Sequence, residues 1–246
     1  MNRRDFLILS AVSPSFAKEF IQKDRDIYLS PDDLATLNSL DHRLRKLRSF
    51  VGFGNFNFIS FDQARYYARN YPAIGRFTTK ELALIEKLFY SNPNKFGFYG
   101  DKTVDNITNV ISSKELFKVP YSGHYIYKGK ALDDYNRIIN DVGDNLILTS
   151  GVRNVVKQLS LYISKIKRVN GNISKASTII APPAYSYHSI SDFDIGKKGW
   201  GYKNFTSQFA RTAEFYKMIK LDYINIRYTL NNKDGVRFEP WHVEVI

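Results

Sequence analysis

The sequence predicts an α+β fold in which a mostly helical N-terminal region precedes a mixed C-terminal domain. Three observations carry this expectation. Leucines recur at three- and four-residue steps over 31–49, the spacing of one helix face. From about 110 onward, helical patterns alternate with short apolar and β-branched runs, as in layers of mixed elements around a core. Residues 223–246 hold two β-rich runs separated by Asn231-Asn232-Lys233-Asp234-Gly235, a turn composition between strands. The chain has 246 residues, 43% hydrophobic and 15% aromatic, enough to bury a full core as one large or two small domains.

At the N-terminus, Arg3 and Arg4 precede the apolar run FLILSAV (6–12), and Ser15-Phe16-Ala17 follows. A charged head, an apolar middle and small residues at cleavage spacing point to an export signal over 1–17, and NRRDFL resembles a twin-arginine signal. The run is far short of the roughly 20 residues that span a bilayer, so no transmembrane helix is expected. Next, Ser30 or Pro31-Asp32 opens a helix over 31–49 with Leu34, Leu37, Leu40, Leu44 and Leu47 on its apolar side and His42 among charged surface neighbours. The Phe- and Tyr-rich stretch 53–71 is expected to be core rather than a sugar-stacking platform. A second helix starts after Thr78-Thr79, carries Leu82, Ile85, Leu88 and Phe89 on one face, and stops before Asn92-Pro93-Asn94.

Short polar and β-branched stretches over 103–120 place a soft boundary near 110, dividing a helical region (18–110) from a C-terminal domain (111–246). Within the latter, 130–142 reads as a helix, 146–151 as a short buried strand and 152–169 as a helix ending near Gly171. Residues 204–220 read as one helix with Phe205, Phe209, Ala213, Tyr216 and Ile219 near one face, and 223–230 with 236–246 as a β-hairpin.

Zero cysteines exclude disulfides and thiolate ligands, leaving any metal to His, Asp and Glu. The net charge of +12 falls to +11 once Arg3, Arg4 and Asp5, together +1, are removed with the leader. Such a charge favours polyanionic partners. The basic residues are dispersed and show no aromatic RNA-reading motif, so nucleic acid is not expected and export directs the charge toward anionic cell-wall polymers.

His188 lies in APPAYSYHSISDFDIG (181–196), a loop-forming composition, with Asp192 and Asp194 four and six residues on. A catalytic zinc takes three protein ligands and keeps a position open; His188, Asp194 and His242 can supply that set. Glu239 then has a purpose, because metal-assisted hydrolysis needs a carboxylate that takes a proton from the attacking water and delivers it to the leaving amine. Glu239 and His242 are three residues apart, which in a regular strand would set them on opposite faces. Pro240 between them is expected to re-aim the chain at a strand start or bulge.

The stretches SGVRNVVKQ (150–158), SYHSISDFDIG (186–196) and EPWHVEV (239–245) resemble, in the same order, the SGYRS…Q, SxHxxGxAxD and EPWH motifs of VanY-like D-alanyl-D-alanine carboxypeptidases. The resemblance covers about 117–246. It implies the fold shared by D-Ala-D-Ala dipeptidases and the Hedgehog signalling domain, with an antiparallel sheet and flanking helices. It implies zinc bound by His188, Asp194 and His242, Glu239 as general base, Arg153 binding and polarising the substrate, and Ser186 and Gln158 as supports. Four departures stand out. Ser191 occupies the usual glycine position, the usual alanine is absent, the His-to-Asp interval is six rather than seven residues, and Val152 replaces a tyrosine. Asp194 precedes Ile-Gly as in the family, with Asp192 as the alternative ligand. His124 is expected to be structural.

The implied activity is an exported zinc metallopeptidase acting on peptidoglycan stem peptides, a D,D-carboxypeptidase releasing terminal D-alanine. An L,D-carboxypeptidase or an endopeptidase would use the same groups. The rival from another class is a wall-binding module without turnover, which retention of Glu239, Arg153 and all three ligand positions disfavours.

Overall fold

Helix α1 (Pro31–Val51) begins where the Ser30 side chain accepts from the Asp33 amide, with Pro31 in the first turn and Asp32 and Asp33 at the positive end of the helix dipole. It runs two residues past the predicted end and buries Leu37, Leu40, Leu44 and Leu47. The computed structural model describes residues 20–23 and 25–246, so the export signal expected over 1–17 lies outside the described residues. Ahead of α1 is a small antiparallel pair, β1 (Ile21–Lys23) and β2 (Asp26–Tyr28). After it come α2 (Phe53–Phe56), α3 (Phe61–Asn70) and α4 (Thr79–Tyr90). Both longer helices start with capping boxes, Ser60 with Gln63 and Thr78 with Glu81. Glu81 also accepts from Ser39 Oγ and Arg43 Nε, each at 2.8 Å, which ties α4 to α1. The aromatics of 53–71 divide: Phe56 and Phe61 are buried, whereas Phe53, Tyr66 and Tyr71 are exposed.

Two layers follow. A short antiparallel pair, β3 (Leu116–Lys118) and β4 (Tyr125–Tyr127), leads to α5 (Lys130–Val142). The principal sheet contains β5 (Leu146–Ser150), β6 (Phe193–Lys197), β7 (Asn225–Ile226) and β8 (His242–Glu244) in the order β5-β6-β8-β7, all antiparallel. One face of this sheet packs Leu148, Phe193, Ile195 and Val243 against Ile138 and Val142 of α5 and Met218 of α8 (Ala213–Met218). Residues on the other face cannot join that core, because strand side chains alternate.

Helix α6 (Val155–Arg168) links the two halves. Its Val155, Val156, Leu159, Tyr162, Ile163 and Ile166 share a core with the leucines of α1 and with α7 (Ile173–Ser177). Asp41 of α1 accepts from Ser164 Oγ at 3.0 Å and Lys167 Nζ at 3.2 Å. The N-terminal helices thus brace the helix that begins just after Arg153. Gly151 precedes it at a place where no side chain fits: a Cβ there would lie 1.9 Å from the Tyr125 carbonyl oxygen.

Two expectations need correction. The single helix over 204–220 is broken into 3-10 turns at Gly201–Phe205 and Ser207–Arg211 before α8. Thr206 and Thr212 adopt extended backbone and cap the Gln208 and Phe215 amides with their hydroxyls, so local side-chain bonds outcompete helix continuation. Phe209, Phe215 and Met218 are buried while Tyr216 and Ile219 face solvent. The hairpin forms a regular ladder only between Asn225–Ile226 and Val243–Glu244. Beyond it the two arms are joined by single bonds, Arg227 N to His242 O at 3.2 Å and Glu239 N to Tyr228 O at 2.9 Å, while Arg237 N turns away to Thr178 O at 2.9 Å. Among the described residues no helix is long and apolar enough to cross a membrane.

Candidate active site

Register alone brings three polar residues into one row. Ser150 pairs with Asp194, and Asp194 with His242, across β5, β6 and β8. Phe193 and Ile195 take the core face of β6, so Asp194 projects from the opposite face, where it is 1% exposed. His188 arrives from the 3-10 turn Tyr187–Ser189. Its Nδ1 lies 2.9 Å from the Gly151 carbonyl; because a carbonyl only accepts, that nitrogen carries the proton and Nε2 holds the free lone pair. His188 Nε2 stands 3.3 Å from Asp194 Oδ1, and His242 Nδ1 stands 3.4 Å from the same oxygen.

Glu239 completes the cluster, with Oε2 3.7 Å from His242 Nδ1 and Oε1 3.6 Å from Arg237 Nε. The odd spacing is resolved by a turn rather than a bulge. His242 N donates to Glu239 O at 3.1 Å, and β8 begins only at His242, so the two side chains converge before alternation sets in. Trp241 is buried, its ring edge-on to Phe205 at 6.0 Å.

The two aspartates occupy different sides of His242. Asp192 Oδ2 accepts from His242 Nε2 at 3.0 Å, and its Oδ1 accepts from Val245 N at 3.1 Å and Arg227 Nη2 at 3.2 Å. Arg227 Nε also bonds Asp192. Asp192 is therefore saturated, whereas Asp194 Oδ1 and His188 Nε2 are buried without a hydrogen-bond partner among the described residues. One donor atom each from His188, Asp194 and His242 can be chosen with all three within 4.8 Å of one another. Buried polar atoms are nearly always bonded, so orphaned lone pairs converging on one point fit a cation. Two imidazoles and a carboxylate suit zinc.

Arg153 donates from Nε to Ser150 Oγ at 2.8 Å and from Nη2 to Asp194 Oδ2 at 2.5 Å. It thus holds the oxygen of Asp194 that faces away from the histidines, while Nη1 has no partner among the described residues and the side chain lines the cavity. Gln158 donates to Ala181 O at 2.7 Å and leaves Oε1 unpaired; Ser186 is buried at the cavity wall. His124 is also buried beside the cavity, its Nδ1 without a partner among the described residues, whereas His42 is exposed. The cavity encloses about 340 Å³.

Charges around the cluster set unequal proton affinities. Burial, then the Arg153 charge, pushes the His188 imidazole down to about 4. For His242 burial acts the same way, but the hydrogen bond with Asp192, the nearby Glu239 carboxylate and the Asp194 charge outweigh it and raise the ring to about 9. Burial likewise opposes ionisation of Asp194, yet His188 and Arg153 hold its carboxyl well below the usual carboxylate range.

Arg227 is one of the site residues that the sequence does not mark. It stacks over Tyr187 at 3.6 Å from the ring centroid and also pairs with Glu244 at 3.0 Å. No motif marks it. The signal for Asp192 was present in Asp-Phe-Asp, since period two puts both carboxylates on one face.

Residues 128–246 match the family described as VanY: D-alanyl-D-alanine carboxypeptidase. No curated protein sequence matches the chain. Among solved structures it is similar to the LdcB LD-carboxypeptidase, at 24% identity over 53% of this chain and 63% of that one, with a TM-score of 0.45. It is also similar to VanYB in complex with D-alanine-D-alanine, at 23% identity over 54% and 77% of the respective chains and a TM-score of 0.40. A mutant of the vancomycin-resistance D,D-pentapeptidase VanY in complex with Zn(II) shares 22% identity over 53% and 78%, with a TM-score of 0.38. The match thus spans less than two thirds of the LdcB chain. Residues 128–246, which carry the three ordered motifs and the convergent His188, Asp194, His242 and Glu239, are thus a VanY-like D-alanyl-D-alanine carboxypeptidase domain by similarity.

Proposed function

We propose that this protein is a zinc-dependent peptidase that hydrolyses peptidoglycan stem peptides, releasing a terminal D-alanine. The observation that carries the reading is the set of buried atoms without partners, His188 Nε2 and Asp194 Oδ1, facing His242 Nδ1 beside Glu239. In this reading His188, Asp194 and His242 hold the metal, which supplies Lewis acidity to the scissile carbonyl and to the attacking water. Glu239 takes the proton from that water and returns it to the leaving amine as the C–N bond breaks. Arg153 keeps Asp194 in place and turns its remaining N–H donors toward the carbonyl oxygen, where negative charge develops. Asp192 and Arg227 fix the His242 ring from behind.

The choice of D,D-carboxypeptidase follows the family description; L,D-carboxypeptidase or endopeptidase cleavage would use the same groups. We further propose that the protein is exported, that 18–110 forms a helical region bracing the peptidase domain of 111–246, and that the net positive charge draws the protein to anionic wall polymers. The test is digestion of a soluble stem pentapeptide ending in D-Ala-D-Ala, with and without a zinc chelator, followed by mass measurement. Loss of one alanine only in the chelator-free sample is expected; an intact peptide in both would overturn the reading.

A further inference from the structure

Lys157 is a buried cation without a counter-ion among the described residues. It is 7% exposed, lies in the first turn of α6, and lines, with Arg153, the cavity that holds the His188 cluster. Its ammonium sits 4.8 Å from the Phe53 ring centroid and 5.8 Å from that of Phe56. Among the described residues, no hydrogen bond or ion pair reaches it. Burial, then Arg153 and Arg48, pulls it down to about 8, so its charged neighbours are cations. His124 closes the same corner, its ring edge-on to Phe53 at 5.2 Å.

Buried charges are paired unless something else compensates them. Aromatic faces attract an ammonium, but they do not satisfy its three donors. Among the described residues, the cavity walls carry Arg153, Lys157, Lys165, Arg168 and Arg237 against two carboxylates, Asp194 and Glu239. Asp194 is already held by Arg153, and Glu239 lies beside Arg237 and His242. The missing partner of Lys157 is therefore an anion brought by the ligand.

We propose that Lys157, framed by Phe53, Phe56 and His124, is a carboxylate subsite for the substrate, an inference that rests on the peptidase reading. Two sources carry that chemistry: the C-terminal carboxylate of the scissile peptide and a side-chain carboxylate upstream of it. Phe53 belongs to the N-terminal region, so that region contributes a wall to the subsite as well as bracing α6.

The test measures binding and hydrolysis of three otherwise identical stem peptides by the full-length zinc-loaded protein: the free acid, its C-terminal amide and its side-chain amide. Wild type should bind the free acid about tenfold or more tighter than the amide that removes the recognised carboxylate, the range of a charge-assisted hydrogen bond. Lys157→Met, which keeps a long unbranched side chain but removes the charge, should collapse that ratio to near one, raising KM far more than it lowers kcat. Lys157→Arg should retain part of it. Collapse for the C-terminal amide identifies the terminal carboxylate, and collapse for the other amide identifies the side chain. Should Lys157→Met not fold, protection of wild-type Lys157 from reductive methylation by the free acid, but not by one of the amides, decides the question. Ratios unchanged in Lys157→Met, or equal methylation with every peptide, would sink the subsite. Hydrolysis without discrimination removes the subsite alone; discriminating binding without hydrolysis removes the peptidase reading and leaves the subsite.

Discussion

His242 is gripped from behind: its Nε2 lies 3.0 Å from Asp192 Oδ2, on the side of the ring opposite the Nδ1 that faces Asp194. A carboxylate on the far nitrogen fixes the orientation of a metal-binding imidazole and raises its basicity. Asp192 is held in turn by Arg227 and the Val245 amide.

The first prediction separates the two aspartates. Wild-type protein should bind one zinc; His188→Ala and Asp194→Ala should lose stoichiometric binding, while Asp192→Ala should keep it with an affinity ~10–100-fold lower. Competition titration against a chromogenic chelator measures all three. Retention in Asp194→Ala with loss in Asp192→Ala would exchange their roles.

Glu239→Gln should retain zinc and fold but lower kcat about a hundredfold or more, because the isosteric amide cannot take the proton of the attacking water. Steady-state hydrolysis of the stem pentapeptide, alongside metal analysis, checks this. Activity within a few-fold of wild type would assign the base to another group.

Metal binding should release a proton. In the metal-free protein His242 is raised to about 9 from its ordinary value of 6.5, so at pH 7.5 it is protonated and must lose that proton to act as a ligand. Apparent zinc affinity should then climb about tenfold per pH unit between 7 and 8.5 and flatten above 9. The linked stability has the opposite sign: the protonated ring stabilises the metal-free fold fully below pH 6.5, and that contribution is lost as pH rises through 9. Calorimetry in buffers of different ionisation enthalpy counts the proton; a pH-independent affinity across that window would contradict it.

Arg153→Lys should impair hydrolysis of a soluble stem peptide at every salt concentration, because one ammonium cannot reproduce a guanidinium that bonds Ser150 and Asp194 at once. Salt should instead weaken adsorption of wild-type protein to intact wall, where exposed charges are screened over about 10 Å at 0.1 M. Normal hydrolysis by Arg153→Lys would remove Arg153 from the reaction.

What the sequence determined by itself was local. Caps at Ser30 and Thr78 and the leucine spacing placed α1 and α4, since the signals for a helix lie within a few residues of it. The three motif stretches singled out His188, Asp194, Glu239 and His242, and the structure brings these together. Tertiary structure decided the rest. Thr206 and Thr212 read as ordinary helix positions, and only packing of Phe209 and Phe215 into the core between the principal sheet and α5 made capping there preferable to continuation. The sides taken by Asp192 and Asp194 follow from the β6–β8 register together with Arg227, which comes from a different strand region. Lys157 looked like any helical lysine, because nothing near it in sequence reveals that the ring of Phe53, about a hundred residues earlier in the chain, would face its ammonium. Burial and pairing across distant segments are properties of the folded chain, and no spacing within one segment encodes them.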